Sequence, residues 1–271
     1  MTTSEDSPQE RYTHGHHESV LRSHTWRTIQ NSAAYLEPHL TPGASILDVG
    51  CGPGTITAEF ADRVGAEGRV VGVDASADVV AMASEQRARP NASYAVGDVY
   101  RLDAADDTFD IVHAHQVLQH LADPVAALRE MRRVCRPGGI VAARDADYRA
   151  MAWYPEYDAF DRWLDLYQVI TRSNGGDPDA GRKLLSWAHA AGFADVTPSA
   201  SVWCFAEFAE REWWANLWAD RVMYSSLADQ AIAGGHATSD ELIGIGNVWR
   251  EWAYNNDAWF SVLHGEILAR A

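Results

Sequence analysis

A chain of 271 residues, 47% of them hydrophobic, is long enough for one large α/β domain with helical additions and apolar enough to bury a core, which excludes global disorder. Its formal net charge of −16 and pI near 5.0 make phosphate backbones and anionic membrane surfaces poor partners, so neither nucleic acid nor a membrane is expected. The three cysteines, Cys51, Cys135 and Cys204, lack zinc or CxxC spacing and read as reduced thiols.

The first ten residues, MTTSEDSPQE, have no basic or apolar region of a secretory signal, and the expected compartment is the cytoplasm. No apolar run reaches the roughly 18–20 residues of a membrane span. Residues 1–11 read as disordered. From Glu18 to His39, Leu21, Ile29, Ala33 and Leu36 recur at helical spacing, which predicts an N-terminal amphipathic helix ended near Pro42-Gly43. Strands and helices then alternate. Strands are expected at Ser45–Val49, Val70–Val73, Ser93–Val96, Ile111–His115 and Ile140–Ala143. Helices are expected at Thr55–Val64, Ala77–Ala88 and Pro124–Val134, with a turn at Arg136-Pro137-Gly138-Gly139. That alternation implies βαβ crossovers and a parallel sheet.

The second half predicts helices at Pro155–Arg172 and Gly181–Ala191, with Gly192 as C-cap, and a strand at Val196–Phe205. A long helix from Glu210 to Ile232 and another from Ser239 to Tyr254, with Ser239 as N-cap, precede a last strand at Trp259–Ala269. Seven of the 11 tryptophans fall between Trp203 and Trp259. They either pack the helices onto the sheet or form an apolar lid over an acceptor.

The strongest local signal is Ile46-Leu47-Asp48-Val49-Gly50-Cys51-Gly52-Pro53-Gly54-Thr55. Glycines after a strand let the backbone turn tightly against a ligand. The third glycine comes one position earlier than in a dinucleotide fold, and Asp48 would oppose a pyrophosphate but suit a ligand carrying an ammonium group. These residues resemble motif I of class I S-adenosylmethionine-dependent methyltransferases. Val73-Asp74-Ala75-Ser76, Gly97-Asp98-Val99, and the run from Phe109-Asp110 through His115-Gln116 and His120-Leu121 to Pro137-Gly138-Gly139 match further family segments in order. The likeness is to the ubiquinone/menaquinone-methyltransferase-like group, the methyltransferase-11 type, over residues 45–145.

The resemblance implies S-adenosylmethionine as cofactor and a Rossmann-like α/β fold. Its sheet would have seven mostly parallel strands, the last antiparallel, with an N-terminal helix and a helical cap inserted before that strand. Asp74 would hold the ribose hydroxyls, Asp98 and Val99 the adenine. Asp48, Gly50, Cys51, Gly52, Gly54, Ala75, His115 and Gln116 would complete the cofactor site. Tyr12 and Arg27 would reach it from an N-terminal segment, with Arg27 on the methionine carboxylate. The histidines His14, His16 and His17 invite a metal reading, but a cofactor-closing arm fits the fold better and no metal is expected. His115 and His17 (or His16) are candidate general bases, while His113, on the same face as His115, reads as packed.

The expected organisation is residues 1–40 as arm and helix, 41–206 with 258–271 as the cofactor-binding core, and 207–257 as an aromatic cap on the substrate side. The expected activity is methyl transfer to a small hydrophobic or aromatic acceptor. A non-catalytic S-adenosylmethionine-binding module, or a methyltransferase acting on RNA or protein, is the alternative. Oligomeric state is not readable from the sequence, a homodimer being one option.

Overall fold

The structure, a computed structural model, describes residues 23–271. The sheet begins with β1 (Ser45–Val49), β2 (Arg69–Asp74), β3 (Ala92–Val96), β4 (Phe109–His115) and β5 (Cys135–Ala146), all parallel. After these come β6 (Ala152–Tyr154), β7 (Val196–Phe205) and β8 (Trp259–Arg270). The order is β3-β2-β1-β4-β5-β8-β6, with β7 along the other side of β8. Strand β8 runs antiparallel to β5, β6 and β7, so the chain's last strand is the reversed one. Apart from the three-residue β6, this is the expected seven-strand sheet.

Helices α1 (Ile29–Ser32), α2 (Thr55–Val64), α3 (Ala77–Gln86) and α4 (Pro124–Val134) belong to the first half. Helices α5 (Asp158–Ser173), α6 (Leu184–Ala190), α7 (Phe208–Tyr224), α8 (Ser226–Ala233) and α9 (Ser239–Ala253) belong to the second. Because side chains alternate across a strand, adjacent residues Ile46 and Leu47 enter different cores. Ile46 packs with Leu36, Phe60 and Ile111. Leu47 packs with Val112, Leu128 and Met131. Both faces of the sheet are thus covered, as a parallel sheet requires.

A third core joins α5 and α7–α9 to β7 and β8. Trp163, Trp218, Trp249 and Trp252 are among its fully buried side chains. The rings of Phe160 and Trp249 stack at 4.0 Å, and Trp163 meets Trp218 edge-on at 4.6 Å. The tryptophans of the inserted helices are therefore mostly core packing and not a cavity lining.

Local capping accounts for the other departures. The expected N-terminal helix is interrupted within the described residues. Thr28 is extended (φ −134°) and shares a capping box with Asn31, so α1 starts afresh there and ends by Ser32. The expected Glu210–Ile232 helix breaks at Ser225, whose hydroxyl donates to the Arg221 carbonyl and accepts from the Leu227 amide. Thr238, and not Ser239, caps α9 by accepting from Glu241 N at 3.2 Å. The Arg136–Gly139 turn survives as an irregularity inside β5, with Gly138 at φ +78°. Among the described residues no helix is long and apolar enough to cross a membrane.

Candidate active site

The glycine run leaves β1 and is stitched to the end of β2. Gly50 N and Cys51 N both donate to the Val73 carbonyl, at 2.7 and 3.0 Å. Two positions need glycine for space as well as for their left-handed backbone. At Gly50 (φ +66°) a Cβ would lie 2.3 Å from Val117 Cγ2, and at Gly54 (φ +77°) 2.7 Å from the Tyr94 ring. A Cβ on Gly52 would meet only His24 Nδ1, at 3.7 Å, because that peptide faces open space.

That space is a cavity of about 660 Å³, within the range of pockets that hold cofactors. At one end it is lined by Asp74, Ala75 and Ser76 after β2, with Gly97, Asp98 and Val99 after β3. Asp74 Oδ2 accepts from Gly52 N and Oδ1 from Ser76 N, both at 3.0 Å. These bonds fix the carboxylate while leaving lone pairs for a ligand. Asp98 Oδ1 accepts from Tyr100 N at 2.9 Å. Asp48 lies 2.8 Å from His113 Nδ1 and accepts from Thr57 Oγ1 at 2.5 Å. His113, wholly buried on β4, is thus a partner of the motif acid and not inert packing. Burial, then Asp48 and Asp74, push the Cys51 thiol far up, so it stays protonated and is no nucleophile.

The other end is formed where β4 stops. His115 is 4% exposed and neither ring nitrogen has a hydrogen-bond partner. Burial, then the Arg27 and Arg144 guanidiniums, push its pKa well below the ordinary value, so the imidazole is neutral. Gln116 follows at φ +54°, uncommon for a side chain of its size, and its N donates to the Arg144 carbonyl at 2.7 Å. Its Oε1 accepts from Arg27 Nη2 at 2.5 Å. His120, pushed down to about 3 by burial and then by Arg27 and Arg221, and Leu121 close this end.

Arg27 reaches the cavity because its neighbour is anchored. The Trp26 ring packs 5.1 Å from Trp203 and 5.2 Å from Trp213. Arg221 of α7 donates to Ser23 Oγ at 2.5 Å. The inserted helices therefore touch the segment that carries Arg27, while no lining residue among those described comes from 207–257.

The structure thus brings Arg27, Asp48, Gly50, Cys51, Gly52, Asp74, Ala75, Asp98, Val99, His115 and Gln116 to one cavity. Gly54 stands just behind its wall, where the loop enters α2. Tyr12, His14, His16 and His17 lie outside the described residues. His24 and Val117 line the cavity without having been singled out, as do Ser76, His120 and Leu121, which figured only as part of the family pattern. Ser76 lies two residues after the motif acid and could have been found. His24 carries no signal. Among the described residues no group of His, Cys, Asp and Glu could hold a metal ion.

Comparisons with known proteins agree with this geometry. A family model described as a methyltransferase domain matches residues 40–192. An uncharacterized methyltransferase of Schizosaccharomyces pombe is 35% identical, over 98% of both chains. A 2-phytyl-1,4-naphtoquinone methyltransferase of Thermosynechococcus vestitus is 34% identical over 53% of this chain and 60% of its own length. Among solved structures, a Haemonchus contortus phosphoethanolamine N-methyltransferase in complex with S-adenosyl-L-methionine superposes with a TM-score of 0.56 at 15% identity. That match covers 94% of this chain and 58% of the other, a likeness of fold.

Proposed function

The chain belongs to the class I S-adenosylmethionine-dependent methyltransferases, and on that premise we propose that it methylates a small hydrophobic or aromatic molecule at the carboxyl end of β4. The cofactor supplies an electrophilic methyl group on a sulfonium. The residues present suit it. Asp74, held by two backbone amides, offers acceptors for two ribose hydroxyls, and Asp98 with Val99 offers an edge and a wall for adenine. The glycine loop lets peptide groups approach closely, and Arg27 offers a guanidinium to a carboxylate.

One observation carries the reading. The cavity is continuous from Asp74 and Asp98 to His115 and His120, so both substrates would share one space. Its far end combines apolar Val117 and Leu121 with neutral imidazoles, which suits an uncharged ring bearing one polar group. The resemblance to a naphthoquinone methyltransferase supports the same class. His115, with both nitrogens unsatisfied and its imidazole held neutral, would accept a hydrogen bond from the acceptor's nucleophile and orient it toward the methyl group. The helices of 207–257 would act at one remove, holding the Arg27 segment through Trp213 and Arg221.

The test is incubation with S-adenosylmethionine and a panel of phenols, quinols and metabolite extracts, read as a gain of about 14 Da by mass spectrometry. Label entering only RNA or protein would overturn the small-molecule reading. In the active reaction, His115→Phe should lower kcat by about a hundredfold and leave cofactor affinity intact. An unchanged kcat would remove His115 from the positioning of the acceptor.

A further inference from the structure

The last strand carries a wholly buried histidine, His264, far in sequence from every recognised motif. Its hydrogen bonds have only one consistent direction. Nδ1 lies 3.1 Å from the Val262 carbonyl, which can only accept, so Nδ1 bears the ring hydrogen. Burial and the Arg144 guanidinium keep this imidazole neutral, which leaves Nε2 as a bare lone pair. Gln116 Nε2, 2.8 Å away, fills it as donor. The amide must then turn Oε1 the other way, and there it accepts from Arg27 Nη2. The Gln116 backbone from which this side chain springs is itself fixed, left-handed and bonded through its N to the Arg144 carbonyl. The Trp203 ring, 4.3 Å from the His264 ring, closes the assembly.

We propose that His264 is a positioning residue for cofactor binding: acting through Gln116, it aims the Arg27 guanidinium at the cofactor's carboxylate. This rests on the reading of Arg27 as that carboxylate's partner. A long, flexible side chain samples many rotamers, and fixing one in advance removes that cost from binding. The arrangement also accounts for an unusual choice of residue. A neutral histidine with one nitrogen committed to a carbonyl presents only an acceptor at the other, which sets the orientation of the Gln116 amide. A leucine or phenylalanine of similar bulk would leave the Gln116 NH2 group without its acceptor, so the amide would lose one of the two bonds that fix its place beside Arg27.

Calorimetry on the full chain with two ligands tests this. S-adenosylhomocysteine carries the carboxylate, and 5′-methylthioadenosine shares the nucleoside but lacks it. His264→Phe should weaken S-adenosylhomocysteine about tenfold and leave 5′-methylthioadenosine unchanged, whereas His264→Gln, which restores an acceptor, should recover most of the loss. Equal weakening of both ligands by His264→Phe would mean a general structural role and overturn the proposal. So would a His264→Gln variant no better than the Phe variant. Arg27→Ala separates the two levels of the argument. If it weakens S-adenosylhomocysteine while His264→Phe does not, the relay is wrong and the role of Arg27 stands. If Arg27→Ala leaves that affinity unchanged, the reading of Arg27 fails and the proposal falls with it.

Discussion

Two aspartates at the ends of neighbouring strands have been given different work by their hydrogen bonds. Asp48 is 3% exposed and held by His113 and Thr57, so its charge stays at the base of the glycine loop. Asp74 uses one lone pair on each oxygen for a backbone amide and turns the rest toward the cavity. On the proposed reading, replacing Asp74 by Ala removes acceptors for two ligand hydroxyls, and it also releases Gly52 N. Hydrogen bonds to charged groups contribute roughly 1.5–3 kcal/mol each, so affinity for S-adenosylhomocysteine should fall at least tenfold. Calorimetry showing unchanged affinity would take Asp74 out of the site. Asp48→Asn would test the other role. The neutral amide keeps one acceptor but weakens both contacts, so thermal stability should drop more than the cofactor's intrinsic affinity.

At the scale of elements, the first half was legible because each strand is a short apolar run followed by a turn signal and an amphipathic helix. The motif residues lie at strand ends, so reading the strands located most of the cavity. What escaped was set by contacts between distant parts of the chain. Strand β6 is three residues long and exists because Tyr154 pairs with Trp259, about a hundred residues later. His264 has no neighbouring pattern to mark it and His120 only its place in a family segment, and their positions at the site follow from the sheet order. The breaks at Thr28 and Ser225 were hidden because an apolar stripe continues across them, while a single hydroxyl decides the local backbone. The tryptophans were ambiguous for another reason. Composition shows that rings are present, and only packing shows which way they face. Trp249 touches Phe160, Trp163, Trp218 and Phe260, and its Nε1 has no hydrogen-bond partner. Trp249→Ala should therefore cost about 3–5 kcal/mol in urea denaturation. Trp249→Phe should cost under about 1.5 kcal/mol, since it also removes the unsatisfied donor. Neither should alter cofactor affinity, because no lining residue among those described comes from α9. A large loss of affinity in the Phe variant would show instead that this core acts directly on the site.

Across the whole molecule, the buried titratable groups set a pH optimum for stability that the acidic composition alone would not suggest. His115, His120 and His264 are all held neutral by burial, with pKa values pushed down, His120 to about 3. In the unfolded chain each regains an ordinary value near 6.5. Below that pH the unfolded state binds more protons than the folded one, so stability present above about 6.5 is lost as pH falls. Asp145 works in the opposite sense. Burial raises its pKa to about 8, against which backbone bonds from Gln119 and Leu118 and the Arg144 charge act only in part. Its folded state holds a proton that the unfolded state gives up above an ordinary value near 4, so stability is lost as pH rises toward 8. Between about 4 and 6.5 three histidines oppose one aspartate, and stability should climb with pH. Between 6.5 and 8 the aspartate acts alone among these four, and stability should decline gently, by no more than about 1.4 kcal/mol per pH unit. Urea denaturation at pH 5, 6.5 and 8 should therefore give its highest midpoint in the middle. Asp145→Asn keeps the side chain's shape without a titrating proton and should flatten the alkaline limb while leaving the acid limb in place. An alkaline decline that persists in the Asn variant would show that Asp145 is not its source.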